Sequence, residues 1–223
     1  SDLLVNRYFA STLAAGAISS LHFGLLAISV LSTFVNKGIS IVSLRYFSVS
    51  DSKESHVYFY NLCKIMLVVS FFLVINVILF SPAVFVFLLS GKSFTDEKLK
   101  MLYLVVVSLL GYLIGGILSS VLVNPLYTAG FTAVASKVSI SLQIIAIVCM
   151  VGFFKWYGFY ALPIIMSLKS ITNSILLLFI YDRLIHKFDF YKLLTFLLRL
   201  IATATLIIML CNWLSAYLNT FIL

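Results

Sequence analysis

Charge is scarce in this sequence, and acid is scarcer than base. Of 223 residues, 10% are charged, seven of them acids against fifteen Lys or Arg, while 63% are hydrophobic. One water-facing core cannot hide that much apolar side chain, so a soluble globular domain is excluded. The acids Asp2, Asp51, Glu54, Asp96, Glu97, Asp182 and Asp189 all fall at expected helix ends or in connectors. No buried carboxylate pair or metal cluster is therefore expected for acid-base or metal-assisted chemistry. Cysteine is equally sparse: Cys63, Cys149 and Cys211 each stand alone in an apolar run, without the paired spacing of zinc or redox motifs. The three histidines are far apart in sequence, and there is no Gly-rich phosphate loop or nucleophile elbow. This inventory argues against an enzyme. The chain also lacks a basic region ahead of a short apolar stretch at Ser1, and it stops in the apolar "LNTFIL". Both ends read as internal to a larger protein.

What is present is long apolar sequence, with a mean hydropathy of +1.17. Runs near the ~20 residues that cross a bilayer, rather than alternating ten-residue segments, select helices over a barrel. The fold class is all-α, a polytopic membrane protein of about seven transmembrane helices. Apolar length read against breakers predicts helices over 2–20, 22–48, 56–80, 96–123, 131–154, 159–182 and from 193 to the end. The segment "PAVFVFLLSGK", 82–92, is too short to span and is expected to lie at the interface or to pack back as a half helix. Thr95 or Ser93 with Asp96 and Glu97 suits a helix start. The formal charge of +8 is spread without an arginine-rich tract, so it is read as loop charge that sets orientation and not as a nucleic-acid surface. With seven spans, Arg7, Arg45, Lys53, Lys137, Arg183, Lys187 and Lys192 share one side. That side is expected to be cytoplasmic, with residue 1 inside and 82–100 outside.

A few polar residues sit inside these runs. In a first helix, Arg7, Ser11, Ala15, Ser19 and His22 share a face of roughly 120°. A polar stripe in a membrane helix looks into a bundle or a watery cavity, although Arg7 at a helix end also suits snorkelling, and His22 a helix cap. Lys37 lies mid-span beside Asn36 and Gly38, where it cannot snorkel, so a cavity or an anionic partner is expected. Lys64, Lys137 and Arg45 read as interfacial anchors. Lys169, Thr172 and Asn173 cluster on one side of the sixth helix, where Ser167, Ser170 and Ser174 have the spacing of close packing, as do Gly111 and Gly115 in "GYLIGG". What remains within the membrane is net positive, which suits an anionic cargo.

The stretch "VNRYFASTLAAGAISSLHFG" resembles the start of the second half of the MurJ (MviN) lipid II flippase family, within the multidrug/oligosaccharidyl-lipid/polysaccharide exporter superfamily. Arg7, Ala10, Ser11, Leu13, Gly16, Ile18, Ser19 and Leu21 fall in the family's order. "FSPAVFVFLLSGKSF" and "GYLIGGILSSVLVNPLYTAGFTAVA" are similar to later family motifs, with Tyr127, Thr132 and Lys137 in place, and Asn173 and Ser174 sit near a small polar pair. The sequence departs at Asn6 for the family's Asp, Leu26 for an Arg, Leu31 and Arg45 for two Pro, and Phe131 for an Asp. The resemblance implies the second lobe of a two-lobe transporter, residues 1–223, with the first lobe and a last helix absent. It implies alternating access in a bacterial inner membrane, with an anionic polyprenyl-linked saccharide as cargo and membrane lipids and the first lobe as partners. Arg7, Ser11, His22, Lys37, Lys169 and Asn173 are the cavity candidates, with Lys37 as a replacement charge for the Arg missing at Leu26. The cargo stays open between lipid II and an O-antigen or exopolysaccharide precursor, with a multidrug antiporter as the other reading and a membrane-embedded transferase as a remote one. No cofactor is expected, and coupling to an ion or to the membrane potential stays open.

Overall fold

Lipid offers a backbone amide no partner, so a chain this apolar satisfies its amides within helices. The computed structural model describes residues 17–49, 52–89 and 96–222, and no strand occurs among them. Seven helices follow in order: α1 (Ala17–Val49), α2 (Ser52–Leu89), α3 (Asp96–Ser108), α4 (Leu110–Thr128), α5 (Thr132–Tyr157), α6 (Ala161–Leu184) and α7 (Phe190–Ile222). Five stretches are long and apolar enough to cross a membrane. One of them, Thr132–Leu184, contains both α5 and α6, which are separated at Gly158 by a positive φ of 56° and a single 3-10 turn. The protein is a multi-pass, all-helical membrane protein.

Six of the seven expected crossings lie among the described residues, most of the first, 2–20, falling outside them, and three expected boundaries are redrawn for physical reasons. The boundary expected at 20–22 does not exist, because α1 runs unbroken from Ala17 to Val49. Gly24 is there for close packing: a Cβ on it would meet Val105 Cγ1 at 2.9 Å. The segment from 82 is not a separate interfacial piece, since α2 carries Pro82 inside it and ends at Leu89. In an apolar medium, leaving the helix exposes more amides than a proline removes. The span expected to stop near Asn124 and Pro125 instead includes both, and it is divided earlier, at Leu109, into α3 and α4.

That division is made from outside. Ser167, on α6, accepts a hydrogen bond from Tyr112 N (3.1 Å) and donates to Ser108 O (2.5 Å), the two groups that an unbroken helix pairs with each other. A side chain standing in the i to i−4 ladder is a recognised cause of a helix bend. Around it α4 and α6 run close. A Cβ on Gly111 would lie 2.9 Å from Ser167 Cβ, and one on Gly115 only 2.4 Å from the Ser170 carbonyl carbon. Ser170 Oγ donates to Tyr112 O (3.2 Å) and Ser174 Oγ to Gly115 O (2.8 Å). On the other flank of α4, Asn124 Nδ2 donates to Ser43 Oγ (2.5 Å) and Ser120 Oγ to Asn36 Oδ1 (2.8 Å), tying it to α1. Leu102, Leu109, Leu113, Ile117, Leu122 and Leu162 fill the space between these ties with no measurable exposure.

The connectors at 129–131 and 185–189 share one end of the bundle, and the one at 158–160 lies at the other. At the first end His56 stacks on His186 with centroids 4.0 Å apart, its Nδ1 is 3.3 Å from the Tyr181 hydroxyl, and Tyr181 stacks on Phe59 at 4.0 Å. This cluster fastens α2 to the turn between α6 and α7. Lys137, Arg183, Lys187 and Lys192 gather at the same end, whereas the expected position of residue 1 falls outside the described residues.

In the intact protein, Ser167→Ala is expected to lower stability by about 1–3 kcal/mol, the cost of leaving buried polar groups without their partner. Gly115→Val is expected to be at least as damaging, because no rotamer clears the Ser170 backbone. Unfolding titrations in mixed micelles measure both; a Ser167→Ala protein as stable as the parent would show that the hydroxyl does not hold the bend.

Candidate functional site

Four helices each turn polar residues toward one space. On α1 these are Ser32 and Asn36, on α4 Ser119, on α5 Ser139 and Gln143, and on α6 Lys169 and Asn173. The pairs on α1, α5 and α6 are spaced by four residues, so each occupies one face of its helix. Between the helices lies a cleft of about 440 Å³, lined by Ser32, Tyr112, Gly116, Ser119, Ser139, Ile140, Gln143, Lys169, Ser170 and Asn173.

The cleft walls are held by hydrogen bonds between and within its helices. Asn173 Nδ2 donates to Ser119 Oγ (3.1 Å), and Asn173 Oδ1 accepts from Ser139 Oγ (3.1 Å), so one amide bridges α4 and α5. Ser119 and Ser174 pair through their hydroxyls at 2.9 Å. Lys169 Nζ donates to Gln143 Oε1, which holds the ammonium over the cleft from the α5 side. Asn36 Nδ2 donates to Ser32 Oγ (3.1 Å), which fixes the α1 wall.

The lining therefore offers one ammonium, several hydroxyls and amides, and no carboxylate. The described acids are elsewhere. Asp182 accepts from Phe188 N (2.6 Å), and Asp189 pairs with Lys192 at 2.8 Å. A side-chain hydrogen bond from Lys192, then one from its backbone, hold the Asp189 carboxyl below the usual carboxylate range. An ammonium in an apolar slab, surrounded by neutral dipoles and without a lining acid, favours an anionic or polar neutral group over a cation.

Of the cavity candidates, the structure brings Lys169 and Asn173 together in this cleft. Arg7 and Ser11 lie outside the described residues, as does the side chain of Arg45. His22 is exposed, its ring 6.5 Å from that of Phe23, and does not line the cleft. Lys37 is exposed as well. Because its neighbour Asn36 is turned to Ser120 on α4, Lys37 points about 100° away from that contact. Sequence reasoning missed Ser32, Ser119, Ser139 and Gln143. The signal for Ser32, Ser139 and Gln143 was the four-residue repeat of polar residues on otherwise apolar helices, at Ser32–Asn36, Ser139–Gln143 and Lys169–Asn173, whereas Ser119 has no polar residue four positions away.

No protein-family model matches this sequence, and no curated protein matches it. Among solved structures the fold is similar to that of a chain described as "Lipid II flippase MurJ, inward closed conformation", with a TM-score of 0.76 and 16% sequence identity. The match covers 93% of this chain and 44% of that one, so the chain spans less than half the length of the flippase it resembles. At this identity the likeness establishes a shared fold.

If the cleft is watery, a thiol placed in it reacts with a charged thiosulfonate. With Cys63, Cys149 and Cys211 replaced by Ala, Asn173→Cys and Lys169→Cys are expected to react about tenfold faster than Ser174→Cys, which is buried. Equal rates at the three positions would mean that the cleft is closed to water.

Proposed function

We propose that this chain is one lobe, the second, of a two-lobe flippase-type transporter that moves an anionic polyprenyl-linked saccharide across the bacterial inner membrane by alternating access. The observation that carries the reading is the fold's likeness over nearly the whole chain to about half of a lipid II flippase. The cleft supports it independently, because a lone ammonium among neutral hydrogen-bonding groups suits a phosphate-bearing headgroup with sugars attached. Lys37, exposed on α1, supplies a second cation on the face that a first lobe would complete. The chemistry needed is binding, release and exclusion of lipid, so the reading is of a transporter and not an enzyme.

Within this reading the cargo need not be lipid II itself. Leu26 is 51% exposed where the resembled family carries an arginine, and that absent charge favours a different polyprenyl-linked saccharide, such as an O-antigen or exopolysaccharide precursor. A cation-coupled multidrug antiporter is less well supported, since no carboxylate lines the cleft.

The intact gene tests the proposal in strains depleted of a lipid II flippase or of an O-antigen flippase. Rescue of one strain identifies the cargo class, and rescue of neither overturns the reading. In the rescuing background, Lys169→Ala and Lys37→Ala are each expected to weaken cargo affinity about tenfold, the order of one charge-assisted hydrogen bond, while Lys→Arg retains growth. Normal growth with normal membrane levels of an Ala variant would remove that lysine from the site.

A further inference from the structure

The outer faces of α5 and α6 meet along a groove that borders the polar cleft only at Lys169, which lines both. On α6, Leu168, Thr172, Leu176 and Ile180 recur every four residues and so lie in one line along the groove. Toward the 158–160 end it opens into an apolar cavity of about 390 Å³. At the opposite, basic end it holds a second cavity of about 350 Å³, walled by Val134, Leu176, Phe179, Ile180 and Leu184, with Arg183 at its rim.

Arg183 belongs to the last turn of α6, at the depth where a helix leaves the membrane. It is exposed, and among the described residues no acid pairs with it. The two described acids of this end are engaged within the chain: Asp182 by the Phe188 amide, and Asp189 by Lys192. Lys137, one turn beyond Val134 on α5, and Lys187, in the connector, are exposed at the same end. An apolar slot between two helices, rimmed by cations at the headgroup level, has the chemistry that recognises an anionic lipid.

We propose that one anionic phospholipid from the leaflet at this end is held here, its phosphate on Arg183 and one acyl chain in the cavity between α5 and α6. Charge selects the occupant. A zwitterionic lipid brings its own cation to an end that already exposes Arg183, Lys137 and Lys187, whereas a net anionic headgroup does not. The chain follows the line from Ile180 toward Leu176, which keeps the headgroup at the interface and the tail directed inward. The lipid resides at the basic-end cavity, which shares no lining residue with the cleft, and the inference does not depend on the transport reading.

The test uses the intact protein in nanodiscs containing phosphatidylglycerol or phosphatidylcholine, each carrying a diazirine on one acyl chain, with cross-linked peptides mapped by mass spectrometry. Phosphatidylglycerol is expected to label the first turn of α5 and residues 176–184 preferentially. Arg183→Gln is expected to reduce that labelling about fivefold, Arg183→Lys to keep most of it, and Leu176→Trp to remove it by filling the cavity. Equal labelling by the two lipids, labelling spread evenly over all outward helix faces, or labelling indifferent to Arg183→Gln and Leu176→Trp would each show annular lipid only and overturn the proposal. The comparison of the two lipids needs no variant, so a misfolded substitution leaves the test intact.

Discussion

A single hydroxyl organises the middle of this helical bundle. Ser167 reaches from α6 into the backbone ladder of the neighbouring span and replaces a helical hydrogen bond with two of its own. In water such an intrusion is cheap, because solvent can do the same. In lipid it is permitted only because the hydroxyl itself satisfies both freed groups. The exchange fixes α6 against α4 at one register, and the rest of the seam follows from that register. Gly111 and Gly115 must then be bare, and Ser170 and Ser174 must then find carbonyls of α4 within reach.

The cleft is a product of the same seam. Once small residues draw α4 and α6 together, Ser119 and Asn173 meet, and Asn173 extends the network to Ser139 on α5. The seam's polar atoms thus run from the bend through the serines to Ser139 on α5, and Lys169, on the same α6 face as Asn173, is held by Gln143 beside them. Packing and site share residues, and Ser170 belongs to both. That sharing explains why a bundle with so few charges can position one of them so definitely.

How much of this the sequence discloses depends on the distance over which each feature is encoded. Composition and run length are local, and they suffice for the all-α membrane fold and for α5, α6 and α7. The spacing of Gly111, Gly115 and the three serines is also local, though only the structure shows that they face one another. The bend at Leu109 is not local at all: neither Gly nor Pro stands there, and its cause lies 58 residues later in the chain, at Ser167. The continuity of α1 and the passage of α2 through Pro82 are invisible for the opposite reason, since residues that break helices in water are tolerated where the alternative is an amide facing lipid. In the cleft, Lys169 announces itself by charge, whereas Ser139 and Gln143 look like ordinary polar residues until a partner helix supplies their neighbours. Lys37, as conspicuous in sequence as Lys169, stands outside the cleft because Asn36 takes the inward position.

The length of α2 carries a consequence for the surrounding bilayer. Its apolar stretch, His56–Phe87, has 32 residues. At ~1.5 Å per residue that is about 48 Å, against about 30 Å of hydrocarbon, and a steep tilt of ~40° still projects about 37 Å onto the membrane normal. With the His56 end pinned to Tyr181 and His186, the surplus falls at the far end, beyond Pro82. There the leaflet thickens around the helix, or the last turns lie down along the headgroups. Either response makes membrane thickness a mechanical load on the lobe, so lipid chain length can bias its orientation without occupying any site.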